Sequence, residues 1–117
     1  MSQKVFILLI SFSVVIAVAV LTLFANKDSI QKVNKSELET AVNQAKYIYS
    51  LRKQQAVDFS KGPCLSDALL PGWVLDIAHN PRQAIDDLPE NQCPAYRENR
   101  AVHFVELDPE GNLIRAK

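Results

Sequence analysis

The most regular pattern along the chain is an unbroken apolar run, VFILLISFSVVIAVAVLTLFA, from Val5 to Ala25. It holds no charge, and its polar side chains are Ser11, Ser13 and Thr22. At the helical rise, a run of this length reaches roughly 30 Å, the thickness of a bilayer's hydrocarbon core. A hydroxyl inside such a helix bonds back to its own backbone, so the three polar residues do not argue against it. The run predicts a transmembrane helix. A cleavable signal peptide would have a shorter apolar region, and a buried core helix would need more surrounding chain than the remaining ~90 residues supply.

After Ala25 the pattern changes to a mixture of polar and apolar residues. Residues 26–35 read as a polar linker or a continuation of the first helix. Ser36 and Glu39 form a capping-box pair, in which each side chain satisfies an end N–H of the helix. Behind it Leu38, Ala41, Val42, Ala45, Ile48, Tyr49, Ala56 and Phe59 recur three or four apart and predict an amphipathic helix over 36–59. Gly62-Pro63 would stop it. Leu65 to Leu70 reads as a short helical turn. Trp73 to Ala78 alternates and predicts a strand, as does Ala101 to Leu107. Asn80-Pro81 predicts the start of a short helix with Asn80 as cap, and Asp86 to Pro94 reads as loop. Asp108-Pro109-Glu110-Gly111 is a strong turn, after which Asn112 to Ala116 returns as the second strand of a hairpin.

The expected fold class is α+β. An N-terminal transmembrane helix (residues 1–25) precedes a linker (26–35) and a small soluble domain (36–117). In that domain an amphipathic helix packs on a small antiparallel β-sheet. The helix stripe supplies the apolar partner without which two or three strands would be marginal.

Charge refines this layout. The chain carries 13 Lys/Arg and 13 Asp/Glu. Residues 26–57 have six bases against three acids, and residues 58–117 six against ten. A basic segment near the membrane and a mildly acidic distal domain suit a tethered protein. They do not suit a nucleic-acid binder, and no dense basic patch with interleaved aromatics is present. The lipid bilayer is the expected partner of residues 5–25. A protein partner or self-association is expected of the domain, and no small-molecule substrate is evident. The lysines at 27, 32 and 35 taken alone would keep the domain in the cytoplasm. A cysteine pair in a thin-cored domain and a short N-terminal tail favour the extracytoplasmic side of the cell membrane, which is the expected location.

Candidate chemistry is sparse. Cys64 and Cys93, 29 positions apart, are expected to form a structural disulfide. Cys64, His79, Cys93 and His103 are zinc-ligand types, but separations of 15, 14 and 10 match no compact ligand pattern. Asp76 and His79 would form an acid–base pair only if the chain turns at Ala78. A metal-binding or hydrolytic module using His79, Asp76 and His103 is therefore the alternative to a structural or protein-interaction role. No phosphate-cradling loop, HExxH or GxSxG occurs, and neither a cofactor nor an enzymatic activity is expected. Arg82 is placed to hold Asp86 or Asp87. Tyr96, Arg97 and Arg100 form a candidate partner surface.

The order of segments resembles the layout of type IV pilins and pseudopilins. In both, an apolar N-terminal helix runs into an amphipathic one and then a small sheet with one disulfide. In that family a leader is processed and an early glutamate makes an assembly contact. The family's leader glycine and the acid early in its mature helix have no counterpart in MSQKVFILLI or anywhere before Asp28, so those two functions are not carried over.

Overall fold

A computed structural model describes residues 2–25 and 32–117 and divides the chain into two units, Met1–Lys32 and Val33–Lys117. The expected linker lies mostly outside the described residues.

In the first unit, helix α1 spans Gln3–Ala25. It is long and apolar enough to cross a membrane. Its large side chains lie bare, among them Leu8, Phe12 and Leu21, each about two-thirds exposed. The hydroxyls of Ser11 and Ser13 donate to the carbonyls of Leu8 and Ile10 at 2.9 and 2.8 Å, the local bonding that lets serine enter an apolar helix.

The second unit opens with helix α2, Lys35–Gln54. Its cap is Asn34, whose Oδ1 accepts from the Glu37 N–H at 2.8 Å, and not the expected Ser36. Asn34 and Glu37 match the same four-residue signature two positions earlier. The earlier start also turns the Glu37 carboxylate toward the Trp73 indole.

The helix ends at Gln54, short of the expected Phe59. The Val57 N–H reaches the Arg52 carbonyl and the Ala56 N–H reaches that of Lys53, with Ala56 at φ +55°. This is a Schellman cap with alanine where glycine usually sits. The reversal returns Phe59 to Tyr49, with ring centroids 4.9 Å apart, which a continued helix could not do.

Four strands follow: β1 (Cys64–Leu70), β2 (Trp73–Ile77), β3 (His103–Leu107) and β4 (Leu113–Ala116). They form one sheet in chain order. β1–β2 and β3–β4 are antiparallel hairpins, but β2 and β3 run parallel, with Trp73 opposite His103 and Asp76 opposite Glu106. The sheet is therefore mixed, correcting the expected antiparallel one. The stretch 78–102 between β2 and β3 is the long crossover that parallel neighbours require. Leu65–Leu70 belongs to strand β1 and not to a helical turn. A stretch this short shows no clear period of its own, and pairing with β2 decides its state.

The crossover corrects two further expectations. Asn80-Pro81 is a cis peptide and starts no helix. A 3₁₀ turn begins later, at Ala84–Asp87, because Asp86 collects the N–H groups of Gln83 and His79. The run expected to be loop contains a second 3₁₀ turn, Pro89–Asn91, and leads into a one-turn helix α3, Pro94–Arg97.

The two sheet faces bury different cores. Trp73, Leu75, Ile77, Val105 and Leu107, with Leu65 and Leu69, pack against Ala41, Ala45 and Tyr49 of α2 and against Phe59. Val74 and Phe104 face the other way and meet Cys93, Ala95 and Ala101 of the crossover. The β3–β4 turn is held to the helix. The Tyr49 hydroxyl donates to the Pro109 carbonyl at 3.0 Å, and Gly111, at φ +90°, lies so close to the Tyr49 ring that a β-carbon would overlap it.

Candidate functional site

The residues singled out as candidate chemistry separate into several environments. Cys64, at the start of β1, and Cys93, just before α3, form a disulfide with Cα atoms 5.0 Å apart. It fastens the crossover to the sheet face opposite α2. Asp67 brings a carboxylate near both sulfurs, within 4.8 Å, and this is the one grouping of metal-ligand atom types among the described residues. The bond between the two sulfurs occupies both as ligands, and the Asp67 carboxylate accepts from the Ala95 N–H at 2.7 Å. The Cys64–His79–Cys93–His103 zinc set is thereby excluded, since zinc would need free thiolates.

His79 and Asp76 do not meet. The His79 Nδ1 bonds Asp86 Oδ1 at 2.8 Å, and its own N–H donates to Asp86 Oδ2 at 3.0 Å. Asp86 is completely buried. Burial pushes its carboxyl up, but the N–H groups of Gln83 and His79 and the His79 ring outweigh this and hold it below the usual carboxylate range. An ionised Asp86 accepts, so His79 Nδ1 carries the proton. Gly62, at φ +66°, leaves no room for a β-carbon beside Asp86. A carboxylate so enclosed and saturated pins the crossover in place.

His103 lies elsewhere, stacked on the Trp73 indole with centroids 4.9 Å apart. His79, Asp76 and His103 therefore make no common site, which overturns the metal-binding or hydrolytic alternative built on them. A shared site would have required all three on one surface. The alternation of β2 and β3 puts His103 on Trp73 and Asp76 beside Glu106 on the opposite face.

Asp76 instead belongs to a cleft of about 360 Å³ on the sheet face away from α2. β2 contributes Val74 and Asp76, β3 contributes Phe104 and Glu106, and β4 brings Arg115, followed by Lys117. The crossover closes the other side with Arg82, Tyr96 and Arg97. Tyr96 meets the Phe104 ring edge-on at 5.3 Å, and the charged ends of Arg115 and Lys117 lie over that ring at 5.0 and 5.7 Å. The apolar floor is therefore aromatic and already attracts cations.

The two acids of the cleft differ sharply. Glu106 is saturated: Arg82 Nη1 donates to Oε1 at 3.1 Å, while Arg115 Nε and Nη2 donate to Oε2 at 3.1 and 2.9 Å. Arg82 also pairs with Asp87 at 2.9 Å, one of the two acids expected for it. Asp76 is next to Glu106 across the parallel ladder, and its buried Oδ1 has no hydrogen-bond partner among the described residues. Burial pushes the Asp76 carboxyl up to about 8. The Glu106 charge adds to the rise, while Arg82 opposes it.

The expected partner surface is split by this geometry. Tyr96 and Arg97 line the cleft, whereas Arg100 does not. Arg100 pairs with Glu98 at 2.7 Å and with Asp67 at 3.8 Å. Arg115, Lys117 and Phe104 had no signal in the sequence, since their convergence depends on the sheet order. No family model, curated protein or solved structure matches the chain, so the likeness to pilins and pseudopilins remains one of segment order.

Proposed function

We propose that the chain is a single-pass membrane protein whose folded unit lies on the extracytoplasmic side and serves a structural or protein-interaction role in a membrane or envelope assembly. The observation that carries this reading is α1. Its apolar side chains are exposed along its described length, a surface that water penalises and lipid does not. The Cys64–Cys93 disulfide supports an oxidising compartment for the folded unit. Exposed Tyr47 and Val102 supply apolar contact surface of the kind partners use. The role is one of binding rather than catalysis.

Alkaline carbonate extraction of washed membranes tests the tether: the full-length protein is expected in the pellet. A cysteine added after Lys117, probed on intact cells with a membrane-impermeant maleimide, tests the side. Labelling before lysis is expected. Release as a soluble protein, or labelling only after lysis, would overturn the corresponding part.

A further inference from the structure

The cleft between the sheet and the crossover is a built polar site that no role assigned above uses. We propose that it binds a carboxylate carried on an apolar or aromatic body.

The argument begins with its charge. Arg82, Arg97, Arg115 and Lys117 line it against Glu106 and Asp76, so cations outnumber acids among the lining side chains whichever form Asp76 takes. A cationic ligand or metal ion would meet this excess and find Glu106 already taken by two arginines. An anion finds unused donors. Among the described residues, the Lys117 ammonium meets the face of Phe104, and Arg97 makes one long bond of 3.4 Å to the Pro89 carbonyl. Arg115 spends Nε and Nη2 on Glu106 and keeps Nη1.

The floor sets the rest of the ligand. Val74, Phe104 and Tyr96 present an apolar, partly aromatic wall, and a cleft of about 360 Å³ holds one ring or a side chain of that size. Asp76 supplies the remaining feature: its Oδ1 is buried and unpartnered, so a bond to a ligand in the cleft would run through Oδ2. A protonated Asp76 donates one hydrogen bond to a ligand oxygen, a role that its elevated pKa of about 8 permits at neutral pH. The groups facing Asp76 are Glu106 on β3, Arg82 and Asp86 on the crossover, Arg115 and Lys117 on the β4 side, and Tyr96 and Arg97 on α3. Asp86 stays bound to His79, so Asp76 is the acid in the cleft that changes charge near pH 8. Above that pH its negative charge opposes the ligand.

The same chemistry is offered by a free aromatic acid and by the C-terminus of a polypeptide ending in an apolar residue, and the two are tested side by side. The full chain in detergent micelles would be titrated with 3-phenylpropionate, with N-acetyl-phenylalanine, and with two controls, N-acetyl-phenylalaninamide and phenethylamine. The readout is amide NMR shifts of Val74, Asp76, Tyr96 and Phe104. Binding at about 1 mM is expected for at least one carboxylate, as suits a ligand of this few atoms. The preferred carboxylate identifies the source. Both controls should bind at least about 5-fold more weakly.

Lys117→Gln should weaken carboxylate binding about 5-fold. Asp76→Asn should preserve it at pH 6.5 and abolish the weakening expected of the wild type between pH 7 and 9. No shift with either carboxylate, or equal binding of the amide or amine, would overturn the assignment, as would an unchanged pH profile in Asp76→Asn. The titration concerns the folded unit alone, so its failure and that of the carbonate test are distinguishable.

Discussion

The Trp73 indole Nε1–H donates to the Glu37 carboxylate at 2.9 Å, joining the first turn of α2 to the first residue of β2. Trp73 is buried, and the indole nitrogen has one donor to satisfy. Glu37→Ala strands that donor and should destabilise the folded unit by about 1–2 kcal/mol, whereas Glu37→Gln should recover most of the loss. Chemical denaturation of the three proteins followed by tryptophan fluorescence checks this.

Ala56 holds the left-handed position of the α2 cap at φ +55°, where a β-carbon is strained. Ala56→Gly removes that strain while leaving the Val57 and Ala56 cap bonds intact. A net stabilisation of about 0.5–1 kcal/mol is expected after the entropy that glycine adds to the unfolded chain. A fall in the denaturation midpoint would contradict it.

Asp76 links stability to pH in the direction opposite to a salt-bridged acid. Its carboxyl moves from 3.8 up to about 8 on folding, so the folded state holds the proton more tightly. Stability from this group is full below the unfolded pKa and is lost as pH rises from there to about 8. Asp76→Asn should therefore be no more stable than wild type near pH 4. At pH 7.5 it should be more stable, by on the order of 2–4 kcal/mol. Denaturation midpoints at the two pH values decide the matter, and a gap that shrinks with rising pH would refute it.

The disulfide closes the loop from β1 to α3. Replacing Cys64 and Cys93 together by alanine should cost about 3–4 kcal/mol in the chain-entropy account. Thermal unfolding of wild type with and without reductant, beside the double variant, measures the same loss by two routes. Equal midpoints throughout would show that packing alone holds the crossover.

Some expectations failed at points where the local signal was ambiguous. Asn34–Glu37 and Ser36–Glu39 both fit the cap signature, and only the position of Trp73 distinguishes them. The Leu65–Leu70 run suits helix or strand, and pairing with β2 made it a strand. Asp76 and His79 were expected to pair only if the chain turned at Ala78. Their real neighbours, Glu106 and Asp86, lie thirty and seven positions away along the chain. Tyr96 and Arg97 were expected to be exposed, and they are, but nothing local brought Phe104, Arg115 and Lys117 to meet them.

Local composition determined α1, the stripe of α2, strands β2 and β3, and the Asp108–Gly111 turn. Each follows from solvation or backbone preference within a short window of chain. The parallel pairing of β2 with β3 was decided only in three dimensions, because strand direction is set by what the intervening crossover can pack against. That single choice places Asp76 beside Glu106 and gathers the cleft's cations around them.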